Sequence, residues 1–246
     1  MRFGIIAGGE GSRLRQEGSS VVKPLVEING IPVIGRLLKI FSDCGARSVD
    51  VLLNSDMSEV SDYLTKISED LNLNLNLWLA STPSSFHSFS LLVDRMKPEG
   101  KFVITTVDTV FPGDRFKEYI EFFNDLSSDI KGLMGVTSYI DDEKPLYVSI
   151  RRDNFVAGFL DWNDSGCKFV SAGVYGLTPS VVPLIKECRA RDVCRMRNFQ
   201  RELISHDFSI KAFDLGTVVD IDHIEDIQKA ERLFGRNADL SLINNN

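Results

Sequence analysis

The sequence is poor in the residues that build disulfide-rich folds and zinc sites. Its 246 residues include only four cysteines and three histidines. The cysteines, Cys44, Cys167, Cys188 and Cys194, are scattered without a C-x-x-C pair. Small disulfide scaffolds and zinc sites need closely spaced cysteines, or cysteines near histidines. We therefore expect four reduced thiols, mostly buried, with neither a disulfide framework nor a zinc site.

Long apolar runs and an excess of basic residues are also missing. The first apolar run, residues 3–7, leads straight into glycines and is too short for a signal peptide or a membrane span. The net charge is −7, whereas a nucleic-acid-binding surface needs clustered Lys and Arg. We therefore predict a cytoplasmic protein that binds neither nucleic acid nor a membrane, in which an anionic ligand meets a local basic cluster.

The composition is that of an ordinary globular protein, with 43% hydrophobic and 26% charged residues. A chain of this length can bury a sizeable core as one domain, and we predict a single domain over residues 1–246. Short apolar runs alternate with segments of helical period: residues 3–7 read as a strand, 32–41 as a helix and 49–53 as a strand. This alternation continues to a strand at 132–137 and is typical of βαβ units in a largely parallel sheet.

The pattern changes after residue 140. Short β runs at 147–150, 156–159 and 169–175 are separated by two turn-prone segments, residues 152–154 and 163–166. This predicts an antiparallel insertion at about 141–180. Helical periods return near 181 and 199–204, followed by a strand at 210–213 and a last helix at 224–234.

A glycine-rich, basic segment, G-G-E-G-S-R-L-R at residues 8–15, follows the first strand. Glycine lets backbone N–H groups turn toward an anion without a Cβ in the way. Arg13, Arg15 and Lys23 add charges of the kind that clamp phosphoryl groups. The segment lacks the Walker A pattern, and Leu14 stands where a dinucleotide fingerprint needs glycine. It therefore predicts a phosphate cradle, the alternatives being a tight turn and solvated surface charges.

Acidic residues follow two of the β runs. Asp108 comes just past a buried strand, at the edge where open α/β sheets bind ligands. Asp220 and Asp222 alternate with apolar residues, which predicts both carboxylates on one face of a strand. Two convergent carboxylates suit a hard cation such as Mg²⁺. The alternatives are caps: Asp108 for a turn, and Asp222 for the last helix.

A polar loop at residues 80–88 leads into a predicted helix. Its hydroxyl side chains, including those of Ser84, Ser85 and Ser88, are suited to hydrogen-bond a nucleobase edge or a phosphate near the helix start. We interpret His87 as a capping or solvated residue, because phosphoryl transfer to an ionised acceptor needs no general base.

The glycine-rich segment resembles the opening of the sugar-phosphate nucleotidyltransferases. In that family the motifs read G-G-x-G-[ST]-R-[LM], then P-K-P-[LM], then G-x-P-[LIM]. They correspond here to residues 8–14, 22–25 and 29–34. One departure is Val22, which replaces the proline before Lys23.

Two later segments share the resemblance. The family motif W-x-D-[IV]-x-T-P-E-D-[LI] matches around Asp220, with Val218 in place of the tryptophan and His223-Ile224 in place of T-P. Residues 170–176 resemble N-A-G-[IV]-Y, a strand beside the acceptor sugar, with Ser171 replacing the asparagine. The G-T-A run that often carries base contacts in the family is absent from residues 80–88.

The resemblance implies a GT-A-like nucleotidyltransferase fold, in which helices flank a central mixed, mainly parallel sheet with an antiparallel acceptor-binding insertion. It implies transfer of NMP from an NTP to a sugar 1-phosphate, or a similar phosphorylated acceptor, with release of pyrophosphate. The implied metal is Mg²⁺ on Asp108 and Asp220, and the implied catalytic residues are Arg13 and Lys23. The remaining predicted contacts are Ala7, Gly8, Gly9, Gly11, Ser12, Ser84, Ser85 and Ser88 to the nucleotide, and Ser171, Gly173 and Tyr175 to the acceptor.

Two other functions stay open at this point. A GT-A glycosyltransferase normally needs a D-x-D motif, which Asp108-Thr109-Val110 does not supply. A non-catalytic regulator that binds nucleotide-sugars would keep the pockets and could dispense with the metal pair. The presence of both Asp108 and Asp220 favours the enzyme.

Overall fold

The computed structural model describes residues 1–9, 11–163 and 166–235 of the chain. Glu10 of the glycine-rich segment and Asp164 and Ser165 of a predicted turn lie outside these ranges. The strands are β1 Arg2–Ala7, β2 Glu27–Ile28, β3 Ile31–Pro32, β4 Ser48–Leu53, β5 Asn74–Leu79, β6 Phe102–Thr106, β7 Thr109–Val110, β8 Gly132–Thr137, β9 Tyr147–Ile150, β10 Val156–Leu160, β11 Phe169–Leu177, β12 Ile210–Asp214 and β13 Val219–Asp220. The helices are α1 Ser12–Gln16, α2 Val33–Asp43, α3 Ser58–Asp70, α4 Ser85–Met96, α5 Gly113–Asp125, α6 Val182–Ala190, α7 Met196–Ser205 and α8 Ile224–Leu233.

A nine-stranded mixed sheet forms the centre of the molecule, with a main strand order β10-β9-β11-β6-β1-β4-β5. Strands β6, β1, β4 and β5 are mutually parallel. Strand β8 pairs antiparallel with β11 and parallel with β12. The predicted α/β fold, a mixed sheet flanked by helices, is confirmed. The carboxyl ends of the four parallel strands meet at one edge of the sheet, where ligands of such folds bind.

The antiparallel segment after residue 140 is divided between two places. Strands β9 and β10 pair with each other at one margin of the sheet. Strand β11 is longer than the sequence predicts and lies between β6 and β8 in the centre of the sheet. All three β runs of the predicted insertion therefore belong to the main sheet: β9 and β10 form a hairpin at its edge, and β11 lies further in.

Buried side chains form one apolar cluster on each face of the sheet, because successive residues of a strand point to opposite faces. On β1, Phe3 and Ile5 belong to the cluster that includes α2, α3, α5 and α8. Gly4 faces the other way, where an added Cβ would lie 3.0 Å from Met96 of α4. Helices α4, α6 and α7 supply the second cluster.

The four cysteines are free, as expected. Cys188 is buried, Cys44 and Cys167 are partly exposed, and Cys194 is exposed. The expectation that most of them are buried is therefore wrong. Within the described ranges, no helix combines the length and the apolar character needed to cross a bilayer.

The close approach of α5 to the sheet depends on Gly176 in β11. The hydroxyl of Tyr119, which is fully buried, donates to the carbonyl of Leu133 at 2.6 Å. A Cβ on Gly176 would collide with that hydroxyl and lie 3.0 Å from the ring of Phe123. Glycine at this position lets two aromatic rings rest on the strand.

We predict that Gly176→Ala destabilises the fold by about 1–3 kcal/mol, because the methyl group overpacks a closed core. Urea unfolding measures this change in the free energy of unfolding. The matched control is Gly158→Ala in β10, where a Cβ would meet no atom within 4 Å; it should change stability by less than about 0.5 kcal/mol. Equal effects of the two substitutions would contradict the packing described here.

Candidate active site

The glycine-rich segment leaves β1 at the carboxyl edge of the sheet and folds back on Lys23. Gly11 has a left-handed backbone with φ of 59°, and α1 begins at the next residue. A Cβ on Gly11 would lie 3.1 Å from the Cβ of Lys23. Around Gly9 the backbone is open, since an added Cβ would meet no atom within 4 Å. The segment therefore leaves space beside its glycines and packs against the stem of Lys23.

Lys23 is the centre of the site. Its side chain is 7% exposed, and its Nζ donates to Asp108 Oδ2 at 2.7 Å and to Asp222 Oδ1 at 2.6 Å. Burial lowers the pKa of Lys23, but the charges of the two carboxylates outweigh burial and raise the pKa above its ordinary value. Lys23 is therefore a fixed, fully charged ammonium group.

Arg13 extends this basic cluster toward solvent. Its Nη1 donates to Asp222 Oδ2 at 2.8 Å, and both side chains are partly exposed. The two oxygens of Asp222 therefore bind two different cations, Lys23 and Arg13. Arg15, which the sequence adds to the predicted cluster, lies exposed on α1.

A short two-stranded ladder brings the segments of Asp108 and Asp220 side by side. Strand β13 pairs antiparallel with β7, which sets Asp220 opposite Thr109. The backbone N–H of Ile221 donates to the carbonyl of Asp108 at 2.9 Å. The strand ends at Asp220, so the prediction that Asp220 and Asp222 share one face of a strand is wrong. Both side chains nevertheless face the site, because Asp222 turns to Lys23 after the strand has ended.

The hydroxyl of Thr109 is the donor that the structure gives to Asp220. Thr109 Oγ1 donates to Asp220 Oδ1 at 3.0 Å and lies 2.7 Å from Thr106 Oγ1. Gly173 of β11 has a φ of 67°, and a Cβ there would collide with both threonine hydroxyls. The predicted acceptor residue Gly173 therefore also makes room for the hydroxyl pair beside the carboxylates.

The two carboxyl groups have opposite electrostatic environments. Asp220 is exposed to the cleft on one side, and the loss of hydration on its protein side together with the charge of Asp108 raises the pKa of Asp220 to about 7. Burial also disfavours the charged form of Asp108, but Lys23 outweighs it and holds the pKa of Asp108 below its usual range. Asp108 therefore has a cation beside it, whereas among the described residues the hydrogen-bond donor to Asp220 is the hydroxyl of Thr109.

This pair fits a hard divalent cation. Among the described residues, no group of three or more His, Cys, Asp or Glu side chains is arranged to hold a metal ion. Mg²⁺ does not need such a cage, since it binds through one or two carboxylates together with water and substrate phosphates. Asp220 has a raised pKa and forms no ion pair with a cation in the part of the chain that the structure describes, so it has the character of a ligand for such an ion.

An open cleft adjoins the acid cluster. Its lining includes Arg13, Asp220 and Asp222, together with Ser171. Ser171 Oγ accepts a hydrogen bond from Gln200 Nε2 at 3.0 Å, and Gln200 is buried. Of the predicted acceptor residues, Ser171 therefore borders the cleft.

Tyr175 does not line this cleft. It is buried, and its ring packs edge-on against Phe89 in the second apolar cluster. Burial and the charges of Asp220 and Asp108 raise the pKa of Tyr175 above its ordinary value. Tyr175 was predicted to contact the acceptor, but its side chain lies in the core behind the acid pair.

The three serines predicted to contact the nucleotide have partners inside the protein. Ser84 Oγ donates to the carbonyl of Cys194, and Ser85 Oγ accepts from the backbone N–H of Met196 at 3.2 Å. Ser88 is buried. The hydroxyls of Ser84 and Ser85 join the start of α4 to residues 194–196, whereas that of Ser88 pairs with Thr82. The contact of these serines with a nucleobase edge or a phosphate stays a prediction.

A further link, between α1 and α8, was not predicted from the sequence. Glu17, just after α1, accepts from the backbone N–H of Ile224 at 2.8 Å, and its other oxygen lies 2.5 Å from His223 Nδ1. The hydrogen bond from His223 lowers the pKa of Glu17, and Glu17 raises the pKa of His223. His223 and Asp226 form the capping box of α8. The N-terminal segment is thus tied to the Asp220–Asp222 segment at a further point.

A basic loop and an acid pair thus lie together at the carboxyl edge of the parallel strands, an arrangement whose charges suit phosphate groups and a metal ion. A family model described as the MobA-like NTP transferase domain matches residues 4–130, which include Arg13, Lys23 and Asp108. The chain belongs to this family of NTP transferase domains.

Individual curated proteins are similar to parts of the chain. The chain is 28% identical over 191 residues to mannose-1-phosphate guanyltransferase 2 of Candida glabrata, covering 74% of this chain and 51% of that protein. It is 26% identical over 129 residues to glucose-1-phosphate cytidylyltransferase of Salmonella typhimurium, covering 51% of this chain and 46% of that protein. The chain thus spans about half the length of these relatives.

A solved structure extends the likeness to almost the whole fold. The inositol-1-phosphate CTP transferase from T. maritima superposes with a TM-score of 0.76 at 20% identity, covering 94% of this chain and 96% of that one. This similarity includes the region beyond residue 130 that carries Asp220. It supports the GT-A-like nucleotidyltransferase fold expected from the sequence.

The raised pKa of Asp220 predicts a pH-dependent cost to stability in the metal-free protein. Between the ordinary aspartate pKa of 3.8 and about 7, the folded chain holds a proton on Asp220 that the unfolded chain has released. Stability contributed by Asp220 is therefore lost as the pH rises through this window. Asp220→Asn has no carboxyl group to titrate at this position. Its free energy of unfolding relative to that of wild type should therefore increase from pH 4 to pH 7 and then level off.

Urea unfolding in the presence of a chelator measures this difference. The control is Asp70→Asn at the exposed end of α3, whose stability relative to wild type should not follow the same curve. An Asp220→Asn effect that is equal at pH 4.5 and pH 8 would contradict the electrostatic description of the acid pair.

Proposed function

We propose that the protein is a nucleotidyltransferase that transfers NMP from an NTP to a sugar 1-phosphate or a similar phosphorylated acceptor and releases pyrophosphate. The observation that carries this proposal is the contact of Lys23 with Asp108 and Asp222, joined by Arg13. These contacts bring the basic loop and both acidic segments together at one edge of the sheet. The match to the NTP transferase family supports the same reaction class.

In the proposed reaction, a phosphate oxygen of the acceptor attacks the α-phosphorus of the NTP. The bond from the α-phosphorus to the bridging oxygen breaks, and pyrophosphate leaves with that electron pair. Arg13 and Lys23 stabilise the charge that develops on the leaving phosphates. The acceptor phosphate is already ionised, so the chain needs no general base. The loop residues Ala7, Gly8, Gly9, Gly11 and Ser12 are proposed to bind the triphosphate.

Mg²⁺ is the proposed cofactor, and Asp108 and Asp220 are the residues that would hold it. When bound, it would neutralise charge on the phosphates of the two substrates. The protein itself contributes the placement of the carboxylates: Thr109 orients Asp220, and Lys23 keeps Asp108 ionised. Gly173 leaves space for the hydroxyl of Thr109.

The acceptor class is proposed from the relatives. Their names specify mannose 1-phosphate, glucose 1-phosphate and inositol 1-phosphate as acceptors, which are all phosphate monoesters of polyhydroxylated rings. In this chain the cleft bordered by Ser171 and Asp220 would take the acceptor. We propose that residues 1–246 act as one domain and that residues 141–180 contribute to acceptor binding. The proposed location is the cytoplasm.

A substrate panel tests this proposal. Purified protein with Mg²⁺ is incubated with each common NTP and each of a set of sugar 1-phosphates, inositol 1-phosphate and phosphocholine, and released pyrophosphate is measured. We expect pyrophosphate release with at least one pair, dependent on both substrates. Tight binding of nucleotide-sugars without any turnover would favour the regulator instead, and sugar transfer from a nucleotide-sugar would favour the glycosyltransferase.

For the active pair, Asp108→Asn should lower the rate of pyrophosphate release by at least about 100-fold, because it removes a charge that stabilises both Lys23 and the proposed metal. The midpoint of urea unfolding should show that the variant is folded. The matched control is Asp125→Asn. Asp125 is the last residue of α5, and its substitution should keep full activity. Full pyrophosphate release by Asp108→Asn would exclude the proposed metal site.

A further inference from the structure

Asp222 is the acidic residue whose role the reaction above does not explain. Its two carboxylate oxygens bind the two proposed catalytic cations, Oδ1 to Lys23 at 2.6 Å and Oδ2 to Arg13 at 2.8 Å. It stands outside β13 and is not the residue to which Thr109 donates. Its backbone N–H donates to Asp226 Oδ2 at 3.1 Å, which fixes the main chain beside α8.

A carboxylate in this position resembles a phosphate group to the donors around it. Guanidinium and ammonium groups bind carboxylate and phosphate oxygens with the same charge-assisted geometry. Arg13 and Lys23 are also the groups that the proposed reaction assigns to the triphosphate. Asp222 therefore neutralises part of the positive charge of Arg13 and Lys23 before any nucleotide arrives.

The two cations differ in how easily they can change partners. Lys23 is 7% exposed and is held by Asp108 as well as by Asp222. Arg13 is 46% exposed, lies in a helix of five residues and reaches Asp222 with one nitrogen of its guanidinium group. Arg13 is therefore the cation that can turn from Asp222 to a ligand, whereas Lys23 stays in place.

We propose that Asp222 is an internal substitute for a phosphate group, which holds Arg13 and Lys23 at the site without nucleotide and releases Arg13 to the incoming triphosphate. This inference rests on the proposed function, because it takes the ligand to be an NTP. Asp222 keeps the basic cluster ordered, and it competes with the nucleotide for Arg13. The competition weakens nucleotide binding and favours release of pyrophosphate after transfer.

Most substitutions inside a binding site weaken ligand binding, whereas we expect a substitution of Asp222 to strengthen it. Asp222→Asn keeps the size of the side chain and removes the competing charge, so each NTP that the wild-type protein binds should bind more tightly. We expect the Kd to fall by about twofold to fivefold, in the range of a contact between partly exposed charges. A residue with a merely structural role would not tighten binding when replaced, and a metal or nucleotide ligand would loosen it.

The chain offers a closely matched control. Asp161 also places one oxygen on each of two arginines, Arg197 at 2.7 Å and Arg201 at 2.8 Å. Its side chain is 35% exposed, against 38% for Asp222. Asp161→Asn therefore removes the same kind of charge from the same kind of bridge, but one that involves neither Arg13 nor Lys23, and it should leave nucleotide affinity unchanged.

Calorimetric titration at fixed pH measures the binding of ATP, CTP, GTP, dTTP and UTP to wild type, Asp222→Asn and Asp161→Asn. The titrations are run once with a chelator and once with Mg²⁺. The inference predicts tighter binding to Asp222→Asn already in the chelator, because the competition for Arg13 involves no metal. Equal or weaker binding to Asp222→Asn in the chelator overturns the inference, and weaker binding only with Mg²⁺ makes Asp222 a metal ligand instead.

The same titrations separate this inference from the proposed function. Binding of an NTP to wild type, with no tightening in Asp222→Asn, contradicts the role of Asp222 and leaves the proposed reaction intact. Failure of wild type to bind any NTP contradicts the proposed reaction, and the exchange at Arg13 with it.

Discussion

The ion pair of Lys23 with Asp108 and Asp222 is the interaction on which the rest of the site depends. A buried ammonium group is expensive unless carboxylates compensate it, and removing one partner of such a group typically costs about 3–5 kcal/mol. The two carboxylates come from segments more than 100 residues apart in the sequence. Folding therefore has to bring the loop after β1, the end of β6 and the end of β13 to one point.

The sheet topology provides that point. Strand β1 lies between β4 and β6 in parallel register, so the glycine-rich segment and Asp108 leave the same edge. The short ladder of β7 with β13 then places Asp220 beside Thr109. Glu17 ties the end of α1 to the first N–H of α8. A phosphate-bearing ligand at this edge would meet cations and carboxylates together, which suits metal-assisted phosphoryl transfer.

The local sequence pattern predicted those site residues that lie at the end of a strand or in and near the glycine-rich segment. Arg13, Lys23 and Asp108 are of this kind, and the structure brings them together as the sequence indicates. The alternation around Asp220 predicted a longer strand than exists. Ile221 donates to the carbonyl of Asp108, so the β7–β13 pairing stops at Asp220, and Asp222 reaches Lys23 from the turn that follows.

Long-range partners explain the other differences. The hydroxyls of Ser84 and Ser85 bind backbone groups of Cys194 and Met196, about 110 residues later, and no local signal reveals such partners. The bond of the Gln200 side chain to Ser171 likewise joins two different elements, α7 and β11. His223 departs from the family motif of the sugar-phosphate nucleotidyltransferases, yet it takes the capping position of α8 and meets Glu17. Two of the departures from the family motifs, Ser171 and His223, therefore line the cleft beside the acid cluster.

The central claim is that the glycine-rich basic segment and the Asp108–Asp220 pair form one site for a nucleoside triphosphate and a divalent ion. Its most direct test is a crystal structure with a non-hydrolysable NTP analogue and Mn²⁺, whose anomalous signal locates the metal. The account predicts a Mn²⁺ peak between Asp108 and Asp220, with the triphosphate against Gly8, Gly9 and Arg13. A triphosphate bound elsewhere, or an ordered triphosphate at this loop with the metal away from both aspartates, would contradict it.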